Sequence, residues 1–173
     1  MDLRIAITDD LNSEREKLSS AIIAPFSKVG LNVGNIDEYT SGEELLRQFS
    51  AGRYDLIFLD IYMGGMSGVE TAKRIRAIDK NVMLVFVTTS NEFASESYAL
   101  RANFYLLKPI RSDSVRQLAE TLAQQMQNRR SVAALPDGTV IPLSSLVYTS
   151  CSGHYVNAVS YTHLRAHETL SDL

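Results

Sequence analysis

Asp55-Leu56-Ile57-Phe58-Leu59-Asp60-Ile61-Tyr62-Met63-Gly64-Gly65-Met66-Ser67-Gly68 decides how the rest of the chain is read. Four consecutive apolar residues, Leu56 to Leu59, with turn-forming glycines just downstream, fit a short strand covered on both faces, as in parallel sheets. Asp60 then stands at the carboxyl end of that strand, where open α/β sheets collect their ligands, and is the candidate nucleophile. Taken alone, the same acid could equally begin an ordinary loop, so the neighbouring segments must decide.

Upstream, Leu3 to Thr8 reads as a first strand that stops at the acid pair Asp9-Asp10. Ser13-x-x-Glu16 has the form of a capping box, and Leu18, Ile22, Phe26 and Val29 follow at helical spacing. Pro25, which lacks an amide donor, is expected to kink or shorten this helix, and Gly30 to end it. Val33 to Tyr39 is a more polar strand suited to an edge; Ser41-x-x-Glu44 caps a short helix with Leu45, Leu46 and Phe49, closed by Gly52.

Downstream, Ser67-x-x-Glu70 opens a helix with Val69, Ala72, Ile75 and Ile78 assigned to one face. Val82 to Val87 is a strongly apolar strand ending at Thr88-Thr89-Ser90, and Phe93 to Arg101 reads as a fourth helix. Phe104 to Leu107 is a fifth strand halted by Lys108-Pro109, and from about Ser112 a last helix carries Val115, Leu118, Ala119, Leu122 and Met126. Strands alternating with helices predict an α/β fold: a five-stranded, parallel, doubly wound sheet of the flavodoxin-like kind, with right-handed crossovers.

The chain has 173 residues, enough for one typical domain of about 120 residues and a further piece. A first domain is expected over 1–127 and a linker over 128–131, where apolar periodicity is lost. A β-rich segment over 132–159 follows, with short antiparallel strands at Val132–Leu135, Val140–Leu143, Leu146–Tyr148 and Tyr155–Val159. Hydrophobic residues make up 45% and charged residues 21%, ordinary globular values that exclude wholesale disorder. A net charge of −3 does not advertise nucleic-acid binding, and Cys151, the single cysteine, excludes a disulfide framework or a cysteine zinc cluster. With no secretory-type start and no apolar run near the roughly 18 residues of a membrane span, a cytoplasmic protein is expected.

The candidate groups fall at strand ends: Asp9 and Asp10, Asp60, Thr88, Lys108. Three converging carboxylates repel one another unless a cation sits among them, and an all-oxygen site with open positions suits Mg²⁺. Lys108 supplies a balancing ammonium and Thr88 a hydroxyl donor, which together with a nucleophile and a metal is the equipment of phosphoryl transfer. Each residue by itself has a plainer reading: a solvated turn for Asp9-Asp10, a strand residue for Thr88, a surface cation for Lys108.

In this order on this alternating pattern, residues 3 to 127 resemble a response-regulator receiver domain. The resemblance implies that Asp60 accepts a phosphoryl group from a sensor histidine kinase, and that Asp10, Asp60 and the Tyr62 carbonyl ligate Mg²⁺ while Asp9 assists through water. It further implies that Lys108 binds phosphoryl oxygen and that Thr88 and Tyr105 form a switch pair, so that the face beside the fifth strand changes on phosphorylation. Lys108-Pro109 would be cis by that resemblance, against a base rate of about 5% for X-Pro bonds. Gly64 departs from the family pattern, standing where a proline is usual, and a more flexible loop is expected there. A phosphatase with an aspartyl nucleophile is disfavoured because Tyr62 stands where such enzymes usually place a second aspartate.

Thr139-Val140-Ile141-Pro142-Leu143-Ser144-Ser145-Leu146-Val147-Tyr148 and Ser152-Gly153-His154-Tyr155-Val156 resemble the start of a LytTR-type DNA-binding domain. By that resemblance the whole protein regulates transcription through DNA, as a homodimer, and is not an enzyme. The other reading is a receiver that acts through protein contacts alone. From Ser131 onward one arginine faces three acids, so this fragment itself is not expected to grip DNA. Residues 160–173, beginning Ser160-Tyr161-Thr162-His163-Leu164-Arg165, resemble translated sequencing-adapter read-through and are expected to be non-native.

Overall fold

The computed structural model describes residues 2–90, 102–130, 132–134, 140–142, 146–152 and 155–160. The chain divides into two compact units, one ending at Ala123 and the other beginning at Gln124.

The first unit contains β1 (Asp2–Thr8), α1 (Asn12–Lys28), β2 (Asn32–Tyr39), α2 (Gly42–Gln48), β3 (Leu56–Asp60), α3 (Gly68–Ile78), β4 (Met83–Thr88), β5 (Phe104–Leu107) and the larger part of α4 (Ser112–Arg130). Its sheet has the order β2-β1-β3-β4-β5, and every pairing is parallel. The polar β2 is an edge strand, as its composition predicts. Leu56 through Leu59 are each 0% exposed. Because side chains alternate across a strand, this means β3 is covered on both faces, and each such side chain contributes about 1.5–3 kcal/mol of burial. Ile57, Leu59 and Ile61 join Leu45 of α2 and Val69, Ala72 and Ile75 of α3 in one cluster.

Four local expectations change. The capping box at Ser13 does not form: α1 starts at Asn12, after a Leu11 whose side chain makes no cap bond. Asp9 Oδ1 accepts the Leu11 N–H at 2.9 Å and turns the chain early, while Asn12 and Arg15 take up the first-turn polar groups. Ser41 and Ser67 do cap, accepting the Glu44 and Glu70 amides at 3.2 Å. Pro25 does not end α1, which continues to Lys28, and Gly30 follows with φ +77°.

Ile78 is 51% exposed rather than buried with Val69, Ala72 and Ile75. Steps of three residues fall about 60° short of a full turn, so three such steps carry Ile78 to the opposite side of the helix. Lys108-Pro109 is cis, as the family resemblance implies and the base rate does not. α4 continues through Arg130, so residues 128–130 of the expected linker are helical. The predicted helix Phe93 to Arg101 and residues 161–173 lie outside the described residues.

In the second unit β6 (Val132–Ala134) pairs antiparallel with β7 (Val140–Pro142), and β8 (Leu146–Ser152) with β9 (Tyr155–Ser160).

Two glycines hold α2 and α3 close to their surroundings. A Cβ on Gly68 would lie 2.1 Å from the Asp60 carbonyl oxygen, which is backbone and cannot swing away. A Cβ on Gly42 would meet the hydroxyl of buried Thr71, which would have to give up its bond to the Ser67 carbonyl to move. Gly68→Ala, against backbone, is therefore expected to cost about 3 kcal/mol and Gly42→Ala, against a buried side chain that must shift, about 2 kcal/mol. Urea unfolding of the two variants, compared with wild type, measures the difference.

Candidate functional site

The parallel register brings the strand ends level. Thr8 lies opposite Leu59, Asp60 opposite Val87, and Thr88 opposite Leu107, so Asp9, Asp60, Thr88 and Lys108 follow one another across four strands at one edge. This placement needs nothing from the side chains themselves. It follows from strands that all run the same way and stop together.

Lys108 Nζ sits 2.7 Å from Asp9 Oδ2 and 3.2 Å from Asp60 Oδ1. The lysine side chain is 11% exposed and each acid 6%, so one ammonium serves two nearly buried carboxylates. Burial pushes the Asp60 carboxyl above its ordinary pKa; Lys108 opposes that rise, while Asp9 and Asp10 add to it. Burial works against the Lys108 ammonium too, but its hydrogen bond to Asp9 and the charges of Asp60 and Asp9 prevail and raise its pKa. One positive charge thus leaves the acids incompletely compensated.

Asp10 is exposed at the mouth, and one oxygen from each of Asp9, Asp10 and Asp60 lies within 4.8 Å of the others. Three hard oxygen donors, one open to solvent and all short of positive charge, fit Mg²⁺, which takes one or two carboxylates and keeps several waters. Tyr62 lies two residues past Asp60 on the loop joining β3 to α3, with its side chain exposed.

Thr88 is fully buried at the end of β4; its carbonyl accepts the Lys108 N–H at 2.8 Å. Tyr105 stands on β5, apart from the carboxylates. Its hydroxyl donates to the Ser90 carbonyl and its ring tilts against Phe86 with centroids 6.4 Å apart. The structure therefore gathers Asp9, Asp10, Asp60 and Lys108, sets Thr88 on the adjoining strand end, and holds Tyr105 on β5, the strand that leads into Lys108.

Two side chains, Arg15 and Glu43, were not singled out in the sequence, and Gly64, which was, contributes through its backbone amide. Arg15 is 8% exposed and donates through Nη1 to the Asp9 carbonyl at 2.7 Å and through Nε to Glu38 at 3.1 Å. Its signal was available, because Arg15 precedes Leu18, Ile22 and Phe26 on the buried face of α1 and is the one charge among them. Glu43, which accepts the Met66 N–H at 2.9 Å, looks in sequence like any acid in a helix's first turn. The Gly64 N–H donates to Asp10 Oδ2 at 3.2 Å, a backbone bond with no sequence signal. With two such ties, the loop expected to be flexible is attached at both sides.

Among the described residues no helix is long and apolar enough to cross a membrane. Residues 5–120 match the response regulator receiver domain. The chain is 32% identical over 141 residues to the positive alginate biosynthesis regulatory protein of Pseudomonas aeruginosa, covering 77% of this chain and 51% of that protein. It is 27% identical over 137 residues to the sensory transduction protein LytT of Enterococcus faecalis, covering 79% and 52% respectively. The chain thus spans about half the length of these relatives. The REC domain of AraT, a response regulator from Geobacillus stearothermophilus, superposes with a TM-score of 0.63 at 26% identity, covering 76% of this chain and all of that one. The response regulator TrrA of Thermotoga maritima, solved in complex with Mg²⁺ and BeF, gives a TM-score of 0.57 at 32% identity, covering 70% and 99%.

The raised pKa of Asp60 has a stability consequence whose sign is fixed. An acid whose folded-state pKa is raised penalises the fold in its ionised form, fully above the folded pKa and not at all below the unfolded one. Asp60→Asn is therefore expected to melt higher than wild type at pH 7 in EDTA, with the advantage shrinking as pH falls toward 4. Thermal unfolding followed by circular dichroism across that range checks both the sign and the trend.

Proposed function

The chain belongs to the response regulator receiver family of two-component systems, and from that premise we propose that Asp60 is the residue that accepts a phosphoryl group from a sensor histidine kinase. A carboxylate oxygen of Asp60 attacks the phosphorus of the kinase phosphohistidine in line with the leaving nitrogen. A P–O bond forms, the P–N bond breaks, and the imidazole departs with its electron pair. Asp10, Asp60 and the Tyr62 carbonyl would hold Mg²⁺, with Asp9 acting through water, and the bound cation would offset the charge gathering on the phosphoryl oxygens.

The observation that carries this reading is the position of Lys108 Nζ, shared between Asp9 and Asp60 at the mouth of the sheet. When Asp60 becomes an acyl phosphate, the ammonium beside it meets phosphoryl oxygens instead of a carboxylate. The Thr88 hydroxyl, on the adjoining strand end, donates to one of those oxygens. Its movement draws on the packing that Tyr105 shares with Phe86 and Ser90, and so alters the surface beside β5.

For the whole protein we infer a transcriptional output through a LytTR-type DNA-binding domain, acting as a homodimer. The similarity to LytT and the antiparallel pairs β6–β7 and β8–β9 support this. With one arginine against three acids from Ser131 onward, this chain by itself is not expected to hold DNA.

Incubation with Mg²⁺ and acetyl phosphate is expected to yield one phosphoryl adduct by intact mass. The adduct disappears in Asp60→Asn or when EDTA replaces Mg²⁺. Lys108→Ala is expected to slow its formation by about 10²-fold, the scale of losing one preorganised charge partner. An adduct that persists undiminished in Asp60→Asn would exclude Asp60 as the acceptor.

A further inference from the structure

Two bonds from separate parts of the chain converge on the loop between β3 and α3. From the β1–α1 connection, Asp10 Oδ2 accepts the Gly64 N–H at 3.2 Å. From the first turn of α2, Glu43 Oε1 accepts the Met66 N–H at 2.9 Å. Between them Gly65 turns with φ +90°, and a Cβ placed there would come within 3.1 Å of Glu43 Oε1. The Gly68 N–H closes the base of the loop onto the Ile61 carbonyl at 3.1 Å.

We propose that Asp10–Gly64 and Glu43–Met66 are straps that assemble the divalent-cation site before the cation arrives, making Gly64 and Glu43 positioning residues. The inference rests on the metal reading above and assigns it two further residues. Asp10 is exposed, and an exposed carboxylate samples several rotamers unless something holds it. The Gly64 amide holds one of its oxygens, and a carboxylate has acceptor capacity left for a cation beside Asp9 and Asp60. The same bond fixes Gly64 two residues from Tyr62, so the side-chain and main-chain halves of the site are ordered together. Glu43 steadies the far side of the loop by a bond to which the cation lays no claim. Hydrogen bonds behind a metal ligand are typically worth a factor of about 10–100 in metal affinity.

Substitution at Gly64 separates the amide from the space it occupies. Gly64 is not in the left-handed region, and its added Cβ would meet nothing closer than Asp10 Oδ2 at 4.0 Å, so Gly64→Ala keeps the donor without a clash. Gly64→Pro removes the donor. Titration calorimetry of Mg²⁺ into the full chain is expected to show Gly64→Ala within about twofold of wild type and Gly64→Pro weaker by about tenfold. Glu43→Ala is expected to bind about threefold more weakly, with Glu43→Gln, which retains an acceptor, close to wild type. Hydrogen exchange on the metal-free wild type adds a readout independent of any variant: the Gly64 and Met66 amides are expected to be protected.

The proposal is overturned if Gly64→Pro and Glu43→Ala bind Mg²⁺ like wild type, or if both amides exchange freely. Tighter binding by Gly64→Pro also overturns it, since the amide would then compete with the cation. If wild type does not bind Mg²⁺ at all, the metal reading fails and this inference with it. If wild type and every variant bind alike, only the straps fail.

Discussion

One ammonium between two nearly buried carboxylates is the constraint on which the rest of this structure depends. Lys108 reaches Asp9 and Asp60 at hydrogen-bond distance, yet a single positive charge cannot neutralise two acids with a third at the mouth. Moving charge out of water is costly, so such a cluster persists only where the surrounding fold leaves it no alternative. Here the fold does so through β3, packed on both faces, and through the parallel register that brings Asp60 and Lys108 to the same edge of the sheet. The residual imbalance favours an added cation among the three carboxylates.

Around that cluster the packing is tight where position matters. The Gly68 backbone lies against the Asp60 carbonyl so closely that no side chain fits, which sets where α3 begins relative to the acid. Arg15, nearly buried on α1, grips the Asp9 carbonyl and pairs with Glu38 of β2. Each of these contacts constrains the backbone beneath a functional carboxylate rather than the carboxylate itself. The loop beyond Asp60 shows the same logic, its course set by side chains that seize main-chain amides. A glycine-rich sequence there suggests freedom, but freedom of the isolated chain is lost once Asp10 and Glu43 accept the Gly64 and Met66 N–H groups.

The two units differ in kind. The first is an open parallel sheet whose core continues through several elements. The second, among the described residues, holds the end of α4 and two antiparallel strand pairs.

The alternation of strands and helices, the placement of acids, threonine and lysine at strand ends, and the polar character of β2 were all legible in the sequence. They depend on local periodicity, and the parallel sheet that follows aligns strand ends whatever else happens. Capping was legible at Ser41 and Ser67 but not at the start of α1, where Asp9 turned the chain before Ser13 could cap it. The face of Ile78 was misread because spacing by three drifts around a helix. Only the tertiary structure decided how one lysine is divided between two acids, that Arg15 supports Asp9 from behind, and that Gly64 and Met66 are held from opposite sides. Apart from the bond of Arg15 to Asp9, these are contacts between residues far apart in the chain, and two are made by backbone amides that every residue but proline possesses. No pattern of side chains can announce them.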